Sequence, residues 1–96
     1  MRWTWDVKKN AINKQKHGLS FETAILVFDD PLSASRRDTY PLEERWQTIG
    51  MVGNTAILIV HKVIEKGDIF SEEVTRIISA RKATAYERRC YENGEF

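Results

Sequence analysis

Ninety-six residues suffice for one hydrophobic core and are too few for two, since single domains usually run to roughly 100 to 150 residues. With 42% apolar and 30% charged residues and only five glycines and two prolines, the composition excludes disordered and collagen-like chains. A net charge of +1 also excludes the overall basicity of a generalist nucleic-acid binder.

Unbroken apolar runs such as Ala56 to Val60 are far shorter than the roughly 18 to 20 residues of a membrane span. The start, Met1-Arg2-Trp3-Thr4-Trp5-Asp6, lacks the apolar stretch of a signal peptide, so a cytoplasmic protein is expected. Cys90, the single cysteine, allows no internal disulfide and is expected to pack. The charges form blocks: residues 1–19 carry a net +4, residues 20–75 a net −5 and residues 76–91 a net +4. If the fold joins the two basic ends, it acquires a local phosphate-attracting face without a high overall charge.

In chain order, Trp3, Trp5 and Val7 alternate with Arg2, Thr4 and Asp6, the period of a half-buried first strand. Lys8 to His17 reads as a solvated helix ended by Gly18 as its left-handed cap. Ser20 is a plausible N-cap for a second helix whose Phe21, Ala24, Ile25 and Phe28 share one face. That helix stops near Asp29-Asp30-Pro31, because the residue before proline is pushed out of helical geometry. Leu32 to Leu42 reads as loop or weak edge strand.

Three strands are expected next, Arg45 to Val52, Thr55 to Ile64 and about Ile69 to Ser79. Gly53-Asn54 and Lys66-Gly67-Asp68 separate them, and glycine supplies the positive φ that a tight hairpin needs. Both alternate sets of the middle strand are apolar, with Ile57, Ile59 and Val63 on one side and Leu58, Val60 and Ile64 on the other. It should therefore be central and covered on both faces. A last helix is expected from Ala80 to about Asn93, capped by Ser79, stopped by Gly94 and packed through Ala83, Tyr86, Cys90 and Tyr91. The fold class is α+β: an N-terminal strand and two helices, an antiparallel β-meander and a C-terminal helix.

The two histidines stand 44 positions apart with no CxxC or HExxH spacing, so no metal site is expected. Neither GxGxxG nor GxxxxGK[ST] occurs, so no nucleotide cofactor is expected. What remains is arginine in unusual places. Arg76 lies inside an apolar strand, with Val74 and Ile78 on its side of the pleat. A guanidinium there needs an anion, either a carboxylate such as Glu44 or Glu87 or a ligand phosphate. Arg81 falls in the expected first turn of the last helix. A cation there opposes the helix dipole and makes sense if an anion binds beside the free N–H groups. Glu44 and Arg45 open a strand on opposite faces, so one of them at most reaches any single site. His17 ends a helix and suits either a general acid or a C-terminal cap. His61 lies on the face of Ile57, Ile59 and Val63, where a satisfied core histidine is usual.

Asn13-x-x-Lys16-His17-Gly18, Ser20-Phe21-Glu22-x-Ala24, Phe28-Asp29-Asp30-Pro31, Glu44-Arg45 and Ile49-Gly50 are followed by Arg76-Ile77-Ile78-Ser79-Ala80-Arg81-Lys82-Ala83-Thr84 and Glu87-Arg88-Arg89-x-Tyr91-Glu92. In this order, over nearly the whole chain, they resemble the BrnT family of bacterial toxins. The resemblance implies a RelE-like fold and a ribonuclease that stops translation in the cytoplasm. It also implies a BrnA-like antitoxin that masks the toxin and carries the complex to operator DNA. His17, Glu44, Arg45, Arg76, Arg81 and Glu87 match family positions. One departure follows His61, where the family commonly has a small polar residue and an arginine. This chain has Lys62-Val63-Ile64-Glu65-Lys66, and its arm up to Arg76 is longer.

RNA is cleaved without metal when a base takes the 2′-OH proton, the oxygen attacks phosphorus, cations stabilise the transition state and an acid protonates the leaving oxygen. On this expectation Arg76 and Arg81 hold the phosphate, Glu44 or Glu87 is the base and His17 the acid. Lys16, Arg45 and Lys82 are further phosphate contacts. The competing expectation is a non-catalytic module that binds its antitoxin and assists repression at DNA.

Overall fold

In the computed structural model, which describes residues 2–96, the chain opens with β1 (Arg2–Thr4) and enters α1 (Val7–His17) through Asp6. The Asp6 carboxylate accepts the Lys9 N–H at 3.0 Å, and this cap is why the alternation over Trp3, Trp5 and Val7 ends early as a strand. Gly18, at φ 69°, ends α1 in the left-handed conformation and donates its N–H to the Lys14 carbonyl. Ser20 caps α2 (Phe21–Ala24), which tightens into a 3₁₀ turn over Ile25–Asp29 before Pro31. The expected edge strand follows as β2 (Ala34–Arg37).

The meander is β3 (Trp46–Val52), β4 (Thr55–Glu65) and β5 (Val74–Lys82). All five strands form one sheet in the order β1-β5-β4-β3-β2, in which β1 runs parallel to β5 and the other pairs are antiparallel. The middle strand of the meander is thus central, as its two apolar faces require, with Ile57, Leu58 and Ile59 all buried. α3 (Ala85–Asn93) closes the chain.

Two expected boundaries are corrected. Residues 69–73 are not strand, because Asp68 folds them into a turn by accepting the N–H groups of Phe70 and Ser71 at 2.7 and 3.0 Å. At the other end β5 does not stop at Ser79. Ala80, Arg81 and Lys82 pair with Ile59, Leu58 and Ile57, so the last helix begins five residues later than expected. Its cap is Thr84, in a reciprocal capping box with Glu87. Arg81 and Lys82 are therefore strand residues, and the helix-dipole argument for Arg81 does not apply.

Leu19, Phe21, Ala24 and Val27 pack on Ile57, Ile59, Ile77 and Ala80, with Trp3, Trp5 and Phe28 around them. Each large apolar side chain so buried contributes about 1.5–3 kcal/mol. This helix layer covers one face of the sheet and comes close enough that Gly50 has no room for a side chain. A Cβ there would stand 2.9 Å from Val27 Cγ1 and 3.0 Å from the Val27 carbonyl oxygen. Asn13 anchors α1 where β1 has ended. Its buried amide donates to the Ala80 carbonyl at 2.8 Å and accepts the Ala80 N–H at 3.2 Å, standing in for a neighbouring strand at the free edge of β5.

Candidate nucleic-acid interface

Side chains five residues apart on a regular strand point to opposite faces. Arg76 and Arg81 would then be separated by the sheet, but β5 carries an irregularity. Val60 pairs with Ser79 and His61 with Ile77, leaving Ile78 without an opposite residue. One extra residue of this kind inverts the alternation beyond it. Ile77 and Ala80 consequently both enter the core under the helices, while Arg76, Ser79 and Arg81 share the other face.

The register extends this face across the sheet. Arg81 stands opposite Leu58, and Leu58 opposite Ile49; Ser79, Val60, Gln47 and Arg36 form the next rung, and Arg76 and Lys62 the one after. Leu58 and Ile49 are buried at the end that α3 covers. The other rungs are half-buried or exposed. Arg36, Lys62, Arg76 and Arg81 from three strands thus bring cations onto one surface, with Arg45 joining them just before β3. Arg76 and Arg81 lie about 15 Å apart along the strand, too far for one phosphate and suited to neighbouring ones.

The ion pairs set what each cation is free to do. Arg81 donates two parallel bonds to the Glu87 carboxylate, at 2.7 and 2.9 Å, the strongest geometry open to such a pair. Glu87 also accepts the Thr84 N–H at 2.8 Å and has Arg36 at 4.0 Å. The Arg81 bonds foremost hold its pKa down at about 2. Glu43 bridges Lys62 and Arg45, each at 2.7 Å, and Lys62 and then Arg45 lower its pKa. The Arg45 guanidinium also stacks over Tyr40, 3.8 Å from the ring centroid, and that of Arg36 over Phe96, at 4.1 Å. Among the described residues, Arg76 has no carboxylate within 4.0 Å. The two expected fates of these arginines are thereby divided: Arg81 is paired internally, and Arg76 keeps its hydrogen-bonding capacity.

Of the residues expected from the sequence, Arg76, Arg81, Glu87 and Arg45 come together here. Lys16 and His17 stand at the end of α1 in the helix layer, and Lys82 follows Arg81 onto the helix side by the pleat. Glu44 accepts the Trp46 indole N–H at 3.1 Å, on the opposite side of β3 from Arg45 as its sequence position requires. The sequence missed Arg36, Glu43, Gln47 and Lys62. Arg36 and Gln47, joined at 2.8 Å, become neighbours only through strand register. Glu43, two residues before Arg45, was the one local signal.

Under the helices, His61 Nε2 is 2.7 Å from Thr48 Oγ1, which is 2.7 Å from Ser35 Oγ. His61 Nδ1 is buried without a partner among the described residues, so this core histidine is only half satisfied. Burial pushes its pKa down to about 4. Tyr91 of α3 reaches Asp30 at 2.5 Å. That bond raises the phenol to about 12 and leads in lowering the carboxyl, and it fastens α3 to the body of the fold. Among the described residues, no three His, Cys, Asp or Glu side chains gather closely enough to hold a metal ion, and no helix is long and apolar enough to cross a membrane.

The family model described as ribonuclease toxin, BrnT, of type II toxin-antitoxin system matches residues 5–87. No curated protein matches the chain.

Proposed function

Because the chain belongs to the BrnT family of ribonuclease toxins of type II toxin-antitoxin systems, we propose that it is an endoribonuclease that binds and cuts RNA on the face carrying Arg76 and Arg81. The observation that supports this most is the irregularity at Ile78, which puts the two arginines on the same side of the sheet with Arg36, Lys62 and Arg45. Cations of one sign on an open surface attract a phosphate backbone, and guanidinium forks match phosphate oxygens.

The reaction in this reading needs no metal. The 2′-oxygen attacks the adjacent phosphorus and loses its proton to solvent water, the bond to the 5′-oxygen breaks and that oxygen takes up a proton from water. The product ends are a cyclic phosphate and a free hydroxyl. Arg76 holds the reacting phosphate, where its unpaired donors stabilise the charge that develops. Glu87, ionised at neutral pH, holds Arg81 in place beside the neighbouring phosphate, about 15 Å along the strand from Arg76. A carboxyl held at about 2 is a weak base, so most of the acceleration comes from the cations. Arg36, Lys62 and Arg45 contact flanking phosphates. Lys16, His17, Lys82 and Glu44, away from this face, have no part in the step as written. The helix layer on a largely antiparallel sheet is RelE-like in this reading, a BrnA-like antitoxin neutralises the toxin, and the cut RNA is cytoplasmic and needed for translation.

The test is cleavage of RNA by the purified chain in excess chelator. Arg76→Ala should abolish it and leave unfolding cooperative, since among the described residues Arg76 has no carboxylate within 4.0 Å and only a longer-range attraction to Asp6. Full activity in that variant sinks the assignment. An inert wild-type chain that shifts operator DNA only together with its antitoxin identifies it instead as a binding module.

A further inference from the structure

β4 outruns its neighbour. Its pairing with β3 ends at Trp46 and His61, whereas it continues to Glu65 against β5 alone. The outer edge of residues 62–65 has no strand beside it among the described residues, and an open edge of this kind is a template for another chain. Next to it lies a hollow of about 270 Å³ lined by Glu44, Trp46, Val63, Ile64, Glu65 and Lys66. Val63 and Ile64 are 41% and 46% exposed, and Ile69 and Phe70 at the end of the arm 89% and 90%. Apolar surface this open on a small domain marks a contact site.

The charge indicates what makes that contact. Glu44 stands on the rim, and the arm carries Glu65, Asp68, Glu72 and Glu73 against Lys66. These acids belong to the net-negative block of residues 20–75. Such a surface repels RNA and attracts a cationic polypeptide.

We infer that the antitoxin docks here, through an extended segment of alternating apolar and basic residues that adds as a strand to the free edge of β4 at residues 62–65. Main-chain bonds hold a segment so bound, and alternate side chains enter pockets, here the hollow beside Trp46. The inference rests on the family assignment, which implies an antitoxin. It adds the place of docking and the chemistry of the docked segment. Because the same stretch of β4 carries Lys62 on the basic face, an added strand lies alongside the RNA path and accounts for masking.

The experiment combines binding of the purified cognate antitoxin with hydrogen exchange of the free and bound full chain. Ile64→Lys with Glu65→Lys should weaken binding at least tenfold while unfolding temperature and RNA cleavage stay unchanged. In the wild-type complex, amides of residues 62–65 should gain protection, a readout that does not depend on the variant's folding. Binding within twofold of wild type overturns the inference. So does protection confined to other elements, or a free chain that dimerises through this edge. RNA cleavage by the free chain is followed in parallel. Its absence, with edge protection present, removes the nuclease assignment and supports the docking site.

Discussion

Replacing Glu87 by Gln tests the ion pair that rims the basic face. The substitution keeps an acceptor for the Thr84 N–H at 2.8 Å but removes the charge that binds both Arg81 nitrogens. A carboxyl moved from 4.5 to about 2 corresponds to about 3.4 kcal/mol of preference for the ionised form in the fold, at 1.36 kcal/mol per pKa unit. The Glu87 side chain is 11% exposed and that of Arg81 39%, so solvent screens the pair, and about 1–2 kcal/mol is the expected net loss. The folded pKa lies below the unfolded one, so this stabilisation is fully present above about pH 5 and fades as pH falls through 4.5 toward 2. Urea unfolding of both proteins at pH 7 should differ by about 1–2 kcal/mol, and at pH 2 to 2.5 the difference should shrink to less than half. Other titrating groups act equally on both proteins and cancel. An equal deficit at both pH values assigns the loss to packing or capping and refutes the electrostatic account, as does no deficit at pH 7.

His61, held at about 4 against an ordinary 6.5, makes stability fall as pH drops from about 6.5 to 4, by up to about 3 kcal/mol, because the unfolded chain binds the extra proton. In His61→Phe, which keeps the edge-on contact with Phe28, urea midpoints at pH 7 and 5 should lie closer together than in wild type; an unchanged spacing removes His61 as the cause. Asn13→Ala strips partners from Ala80 N–H, Ala80 C=O and the Leu19 carbonyl and should cost about 2–3 kcal/mol. Exchange of the Ala80 amide should accelerate beyond the global change, and unaltered exchange there discounts the edge-capping role.

How much of this was legible depends on range. The caps Gly18, Ser20 and Gly94 act within a turn of their helices, and the all-apolar stretch through Ile57 to Val60 could only be a central strand. Those features follow from spacing alone. The start of α3 was misplaced although its capping box, Thr84 with Glu87, is also local. Ser79 offered a competing cap, and what decided between them was β4, whose residues 57–59 hold Ala80 to Lys82 in the ladder. The parallel pairing of β1 with β5, between segments some seventy residues apart, left no local mark.

By itself the sequence determined the α+β class, the central strand and the family, and it singled out Arg76, Arg81 and Glu87 as candidates. These rest on periodicity and residue order. Only the tertiary structure decided which side chains share a face, because one unpaired residue at Ile78 reverses the alternation of β5 and its placement is set by pairing with a distant strand. The same long-range register brought Arg36 and Lys62 to the basic surface, turned Lys82 and Glu44 away from it, and bound Arg81 to Glu87 while leaving Arg76 open to an anion.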